Sequence, residues 1–179
     1  MAYCNENNIS GILLLCDQGN AYPREKWDFV SMVMSKMGKR VDFIRMIEIM
    51  YKDATLKIKV NSHVGKGFHP TTGDAQGSPL SPILYLIVIQ SFISLLNISP
   101  EVEGISVPGR GGEGNSRFLK AGEFADDLNL FLRNTDQLIP IRALLAIYEN
   151  ASGAVNSWPK TSGLRVGALR GSSSFQPDG

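Results

Sequence analysis

Phe124-Ala125-Asp126-Asp127-Leu128 sets two adjacent carboxylates between apolar flanks, and Leu130 continues the apolar arm beyond them. Two neighbouring negative charges in that setting are costly unless a cation holds them, and hard oxygen ligands suit magnesium or manganese far better than a soft metal. Between Phe118 and Arg133 the apolar residues fall into two arms around the acids, which predicts a hairpin or bent strand pair with Asp126 and Asp127 near its turn. By itself an Asp-Asp pair is more often a solvated turn. The rest of the chain changes that reading.

Ile12-Leu-Leu-Leu-Cys16 is a short continuous apolar run ending at an acid, the pattern of a fully buried strand that delivers Asp17 at its edge. Widely separated carboxylates at strand ends are how catalytic metal sites are commonly assembled, so Asp17 and Asp126 could together bridge two ions. A turn with Gly19 and Asn20 explains Asp17 taken alone. A third stretch, Gly73-Asp-Ala-Gln76-Gly77-Ser78-Pro79-Leu80-Ser81-Pro82, enters a helix with an unusual density of small residues. Its glycines permit conformations or close approaches that a side chain would block, Gln76 offers a donor and an acceptor, and the helix N-terminus attracts phosphate. A helix-capping loop accounts for Ser78 and Pro79 but not for Gln76-Gly77.

With 179 residues, 43% of them hydrophobic, the chain can bury one core and makes one globular domain. The formal charge of +1 is not that of a protein gripping a nucleic-acid duplex over its whole surface, so any such grip is local or lies elsewhere. Cys4 and Cys16 are too few for a disulfide scaffold, and with His63 and His69 they show no zinc-ligand spacing. A reducing, intracellular location is the default. Leu80 to Ile98 is apolar enough to be weighed as a membrane span, but Gln90, Ser94 and Asn97 form one polar stripe and Pro82 marks a first turn, which predicts a buried amphipathic helix and no membrane. The start of the chain has no basic segment leading a secretory apolar core.

Elsewhere the pattern alternates between helix and strand. Pro23 opens a segment in which Trp27, Val30, Met34 and Met37 recur at helical spacing and Gly38 stops it; a second helix from about Val41 carries Phe43, Ile44, Ile47 and Tyr51 on one face. Leu56, Ile58 and Val60 then alternate with Lys57, Lys59 and Asn61, a half-exposed strand whose hairpin partner runs to Phe68. The lysines could meet phosphates, or serve solubility. Residues 99–117 hold too many glycines and prolines for regular structure, a capped helix from Thr135 or Asp136 ends at Gly153, and a short strand over 163–169 follows. The expected organisation is a flank over 1–10, one domain over 11–170 and a disordered tail over 171–179.

In this order the motifs resemble the palm of a reverse transcriptase of the non-LTR, LINE-type retrotransposon family. Asp17-Gln-Gly-Asn-Ala21-Tyr22 resembles the family's first palm motif, Gly73 to Pro82 its G-x-x-Q-G-x-P-L-S-P, and Phe124-Ala-Asp-Asp127 its aromatic-A-D-D box. Ala151 to Leu164, with Gly153, Asn156 and Lys160, is similar to a fourth segment in which a glycine, an asparagine and a lysine precede a serine or threonine. The resemblance implies an α+β fold, a polymerase palm-like antiparallel sheet with packed helices, incomplete fingers and no thumb. It implies that Asp17, Asp126 and Asp127 bind two Mg2+ or Mn2+ ions, with Asp17 and Asp126 bridging. Gln18, Tyr22, Gln76 and Gly77 become the nucleotide- and template-facing positions, Tyr22 lying beneath the sugar of the incoming nucleotide, and Lys160 sits near the phosphates, where it could protonate the leaving pyrophosphate. The implied reaction is RNA-directed DNA polymerisation, attack of a primer 3′-hydroxyl on the α-phosphate of a dNTP, with an RNA template and DNA primer as partners and a nuclear site of action.

Two departures from the family pattern stand out. Pro23 replaces the acid that usually follows the aromatic of the first motif, and Ser78 stands where cysteine or aspartate is frequent. With the first motif at residue 17 there is no room for preceding fingers, nor length for a thumb, an endonuclease or a zinc knuckle, so this stretch alone is expected to polymerise weakly or not at all and to depend on those segments of a longer polyprotein. The alternatives are a catalytically silent retrotransposon remnant that at most binds nucleic acid, and an unrelated structural α+β domain.

Overall fold

The computed structural model describes residues 9–19, 26–52, 54–70, 72–73, 78–109, 116–124, 127–167 and 174–177. Its frame is a four-stranded antiparallel sheet. β1 (Gly11–Asp17) lies between β7 (Asp127–Leu132) and β8 (Ser162–Val166), and β6 (Ala121–Phe124) pairs with the far side of β7. In β1 and β7 the residues Ile12, Leu14, Cys16, Leu128, Leu130 and Leu132 are buried on one face. Leu13 and Leu15 face the other way and are only half-buried.

β1 is therefore not buried on both faces as its unbroken apolar run suggests. Only one face of this antiparallel sheet carries helices, whereas continuous apolar strands are typical of sheets covered on both sides. The helices are α1 (Trp27–Lys36), α2 (Val41–Lys52), α3 (Ser81–Ile98) and α4 (Leu138–Ser152). Trp27, Val30 and Met34 of α1, Ile47 and Tyr51 of α2, and Ile141, Leu145 and Tyr148 of α4 close the core around α3, as their spacing predicts. Met37 and Phe43, at the ends of those periodic faces, are exposed. Left-handed Gly38 and Gly153 end α1 and α4 at the expected positions.

α3 is long and apolar enough to span a membrane by length and composition, yet it serves as the central core helix. Leu84, Tyr85, Val88, Ile89, Phe92 and Leu96 are buried and the polar stripe of Gln90, Ser94 and Asn97 is exposed, as are Ile83, Leu86 and Ile98. The Lys120 ammonium donates to the carbonyl oxygens of Leu96, Asn97 and Ser99 at 3.1, 3.1 and 2.8 Å, satisfying the end of a helix that has no basic residue in its own last turn.

Within residues 99–117, where the glycines and prolines argue against regular structure, β4 (Ile105–Pro108) pairs with β5 (Ser116–Leu119). This hairpin packs on the face opposite the helices: Ile105 and Val166 form a small second core with Ile9, Val107, Leu119 and Phe131. Gly11 permits the approach, since a Cβ there would stand 2.7 Å from Ile105 Cγ2. β8 ends at Val166 rather than Leu169. In the stretch expected to be a tail, Phe175 exchanges both backbone hydrogen bonds with Gly163.

β2 (Leu56–Val60) and β3 (His63–Phe68) form the expected hairpin, turned by Asn61 and Ser62, both at positive φ. It is not half-exposed. Apart from Leu56 every residue in the two strands is exposed, because the hairpin stands off the core instead of lying on it.

Candidate functional site

Antiparallel pairing of β1 with β7 makes Asp17 and Asp127 register partners. Partners across two strands project to the same face with Cβ atoms about 5 Å apart. That face is the one away from the helices, and the β4–β5 hairpin covers it only at its Gly11 end. At the other end the Asp17 side chain keeps 45% of its exposure. Asp127 begins β7 directly after the β6–β7 turn, in which Phe124 is its partner.

The chain beyond β1 is fastened by the segment after α4. Gln18 bridges Asn156, Gly19 N–H donates to Val155 O at 2.9 Å and Ser157 N–H donates to Asp17 O at 2.8 Å. These bonds lay the short 3-10 turn Trp158–Lys160 against β1, with Lys160 Nζ 3.9 Å from Asp17 Oδ1. The pair is loose and solvated, contributing below about 1 kcal/mol to stability. What it fixes is chemical: two carboxylates and one ammonium at a single open edge.

Asn156 is the strut of this arrangement. It is buried, its N–H donates to Glu149 Oε1 at 2.6 Å, and its Nδ2 donates to Thr161 Oγ1 at 3.2 Å, while the Thr161 hydroxyl donates to Ser157 O at 2.9 Å. Asn156 Oδ1 and Gln18 Oε1 are buried with no partner among the described residues. The family-like segment holding Asn156 is visible in the sequence, but nothing in the spacing of Glu149, Asn156 and Thr161 links them. Only the fold brings the end of α4, the bridge and the 3-10 turn together.

Asp126, Tyr22, Gln76 and Gly77 lie outside the described residues, as does Pro23. At the borders of their loops, Gly73 takes the left-handed conformation expected of it, with φ of 78°, and Ser78 Oγ is 2.9 Å from the Tyr51 hydroxyl. This anchors the entry to α3 on α2. Of the eight expected site residues, Asp17, Gln18, Asp127 and Lys160 are described, and they come together.

Among the described residues no three carboxylate, imidazole or thiol groups gather as a metal-binding set. Asp17 and Asp127 supply two, and their donor chemistry fits a hard divalent cation: acceptor-only oxygens on one face of rigid strands, open to water. Cys16, next in the chain, does not join them. It points to the helix side, away from Asp17 and Asp127, and burial pushes its thiol up to about 12. Glu123 also faces the buried side, paired with Leu128, and burial raises its carboxyl above the ordinary value. A cleft of about 720 Å³ between the start of α1, Pro70, Thr72 and Ala151 is lined by none of Asp17, Asp127 and Lys160.

No protein-family model matches the chain. Over 168 residues it is 26% identical to the Transposon TX1 uncharacterized 149 kDa protein of Xenopus laevis, a match that takes in 94% of this chain and 12% of that protein. Its structure is similar to telomerase from Candida tropicalis in complex with a TWJ fragment of telomeric RNA, with a TM-score of 0.67 over 94% of this chain and 29% of that one, at 16% identity. Apo telomerase from Candida tropicalis, truncated from its C-terminal domain, gives a TM-score of 0.65 at 16% identity, over 94% of this chain and 34% of the other. The fold is reverse-transcriptase-like. The α+β architecture expected from the motifs, an antiparallel sheet with packed helices, is the one observed, and the match to a transposon protein agrees with the theme that the motifs carry. The chain spans only a small part of the relatives it matches, so what those whole proteins do is not thereby assigned to it.

Proposed function

We infer that this chain is the palm of an RNA-directed DNA polymerase of a LINE-type retrotransposon and holds its metal-binding edge. The observation that carries the reading is the register of Asp17 opposite Asp127 in a reverse-transcriptase-like sheet, with Lys160 beside Asp17. Two carboxylates facing each other without a cation oppose folding, so their placement on an open face points to binding. In this reading Asp17, Asp127 and Asp126 hold divalent magnesium or manganese, two ions when the site is filled. Such ions neutralise charge on a phosphate undergoing transfer.

The protein's own groups do the rest. The β1–β7 pairing holds the carboxylates in place without reorganisation. Lys160, beside Asp17, meets the phosphates of a dNTP and can pass a proton to the departing pyrophosphate. Gln18, Tyr22, Gln76 and Gly77 face nucleotide and template. RNA template, DNA primer and dNTP are the partners, and a nuclear site of action follows from chemistry on chromosomal DNA.

Isothermal titration with manganese tests the reading. Wild type is expected to bind, and Asp17→Asn and Asp126→Asn each to lose most of the affinity. A wild type that takes up no manganese overturns it. Primer extension on an RNA template, expected to be weak or absent for this stretch alone, is the matching assay for activity, and whatever extension is seen should be lost in Asp17→Asn.

A further inference from the structure

Among the described residues, the β2–β3 hairpin contributes nothing to either core. Its sequence and its faces are unlike the rest of the molecule. From Ala54 to Pro70 the chain holds three lysines, two histidines and no acid, within a protein whose formal charge is only +1. Lys57 and Lys59, two residues apart on β2, stand on one face, and across a shift of register in β3 Lys57 lies opposite Gly67, which offers no side chain to cover it, and Lys59 opposite Val64. All three lysines, Lys66 included, belong to exposed residues, and no acidic side chain among the described residues pairs with them. The second face presents Ile58 and Val60, 62% and 61% exposed.

Two-stranded ribbons in isolation are marginally stable, and cations of one sign on a projecting arm oppose its folding further. Lys57 and Lys59 are separated by two residues of strand, about 6.6 Å, a spacing close to that of successive phosphates on an extended single strand. A protein partner recognised through the apolar face would leave these cations unused. A polyanion uses them.

We propose that the β2–β3 hairpin is an arm that lies along the sugar-phosphate backbone of a single-stranded nucleic acid, with Lys57 and Lys59 on consecutive phosphates. The arm rests on the polymerase reading of the carboxylate edge and adds a contact made outside it. Because phosphates carry no sequence, binding is sequence-independent, and because they are shared by RNA and DNA it does not separate the two.

The test is fluorescence anisotropy of wild type and the double variant Lys57→Gln/Lys59→Gln, with labelled RNA and DNA oligonucleotides of one sequence and about 20 nucleotides. Both lysines are exposed, so the variant's melting temperature does not fall below that of wild type. Each lost phosphate contact lowers the slope of log affinity against log salt by about 0.7, so the double variant is expected to show a slope lower by about 1.4; from 50 to 200 mM salt, wild type loses about sevenfold more affinity than the variant. Equal slopes and affinities overturn the arm. So does a preference for RNA over DNA that the substitutions remove, since that would be readout of the sugar. Loss of oligonucleotide binding in Ile58→Thr/Val60→Thr with the lysine variant unaffected also overturns it, in favour of an apolar docking face. The Asp17→Asn background separates this proposal from the polymerase reading: there most of the manganese affinity is lost, while the two lysine substitutions still lower the salt slope by about 1.4. Normal manganese uptake with no lysine dependence refutes the arm alone.

Discussion

Asp127→Asn should make the metal-free protein more stable while it weakens metal binding. Asp17 and Asp127 are register partners on one face of the sheet, and like charges directly opposite each other cost about 0.2–1 kcal/mol. Both side chains retain water and Lys160 sits 3.9 Å from Asp17, so the lower half of that range applies. The amide removes one charge with little change in size. A gain of about 0.5 kcal/mol in a chain of this length raises Tm by about 1–2 °C. Differential scanning calorimetry in EDTA at low salt measures it, and the gap should close at 1 M salt, where the screening length falls to about 3 Å. With manganese at about 100 times its dissociation constant, wild type gains about 2.7 kcal/mol, or about 5–10 °C, while the variant gains little. A variant less stable than wild type in EDTA would refute the reasoning, because Asp127 would then be holding the fold. Equal shifts with manganese would put the ion elsewhere.

Asn156→Ala removes the buried bond to Thr161 and should cost about 1 kcal/mol in urea unfolding, while also weakening manganese binding through the loosened bridge to Gln18. Asn156→Asp should restore neither, since a carboxylate cannot donate to Thr161. Glu123→Gln is expected to raise Tm at pH 7: the folded carboxyl is raised above 4.5 by burial, so wild-type stability falls as pH rises through the window above that value, and the advantage should vanish at pH 4. In a Cys4→Ser background, Cys16 should resist a thiol reagent at pH 8 until denaturant is added; its raised thiol also predicts stability falling from pH 9 towards 12, as the unfolded chain releases a proton that the folded one keeps. Gly104→Ala should cost about 2 kcal/mol or more by urea titration, because φ there is +76° and a Cβ would strike the Leu119 carbonyl that closes the β4–β5 hairpin.

Local periodicity was enough for the helices. Trp27, Val30 and Met34, or Ile141, Leu145 and Tyr148, recur at the spacing that puts one face of a helix into a core, and Gly38 and Gly153 stop those helices where left-handed backbone is needed. It was not enough for exposure. Ile12 to Cys16 reads as buried on both faces and Leu56 to Val60 as buried on one, yet the second face of β1 is covered only towards its Gly11 end and neither face of β2 is covered. Alternation records which residues could be buried; whether anything arrives to bury them depends on elements far along the chain. The β4–β5 hairpin shows the converse, since the glycines and prolines around it argue for a loop while packing of Ile105 on distant Val166 and Phe131 overrides them.

The carboxylates divide in the same way. The sequence by itself determined that acids end one apolar run and interrupt another, and, through their motifs, that these positions belong together. That Asp17 faces Asp127, that Lys160 lies beside them and that Glu149, Asn156 and Thr161 hold the turn in place were decided only by the tertiary structure. Register is a property of two strands. A slip of one residue would send Asp127 to the helix side, and nothing local to either strand forbids it; burial of Leu128, Leu130 and Leu132 against α3 does.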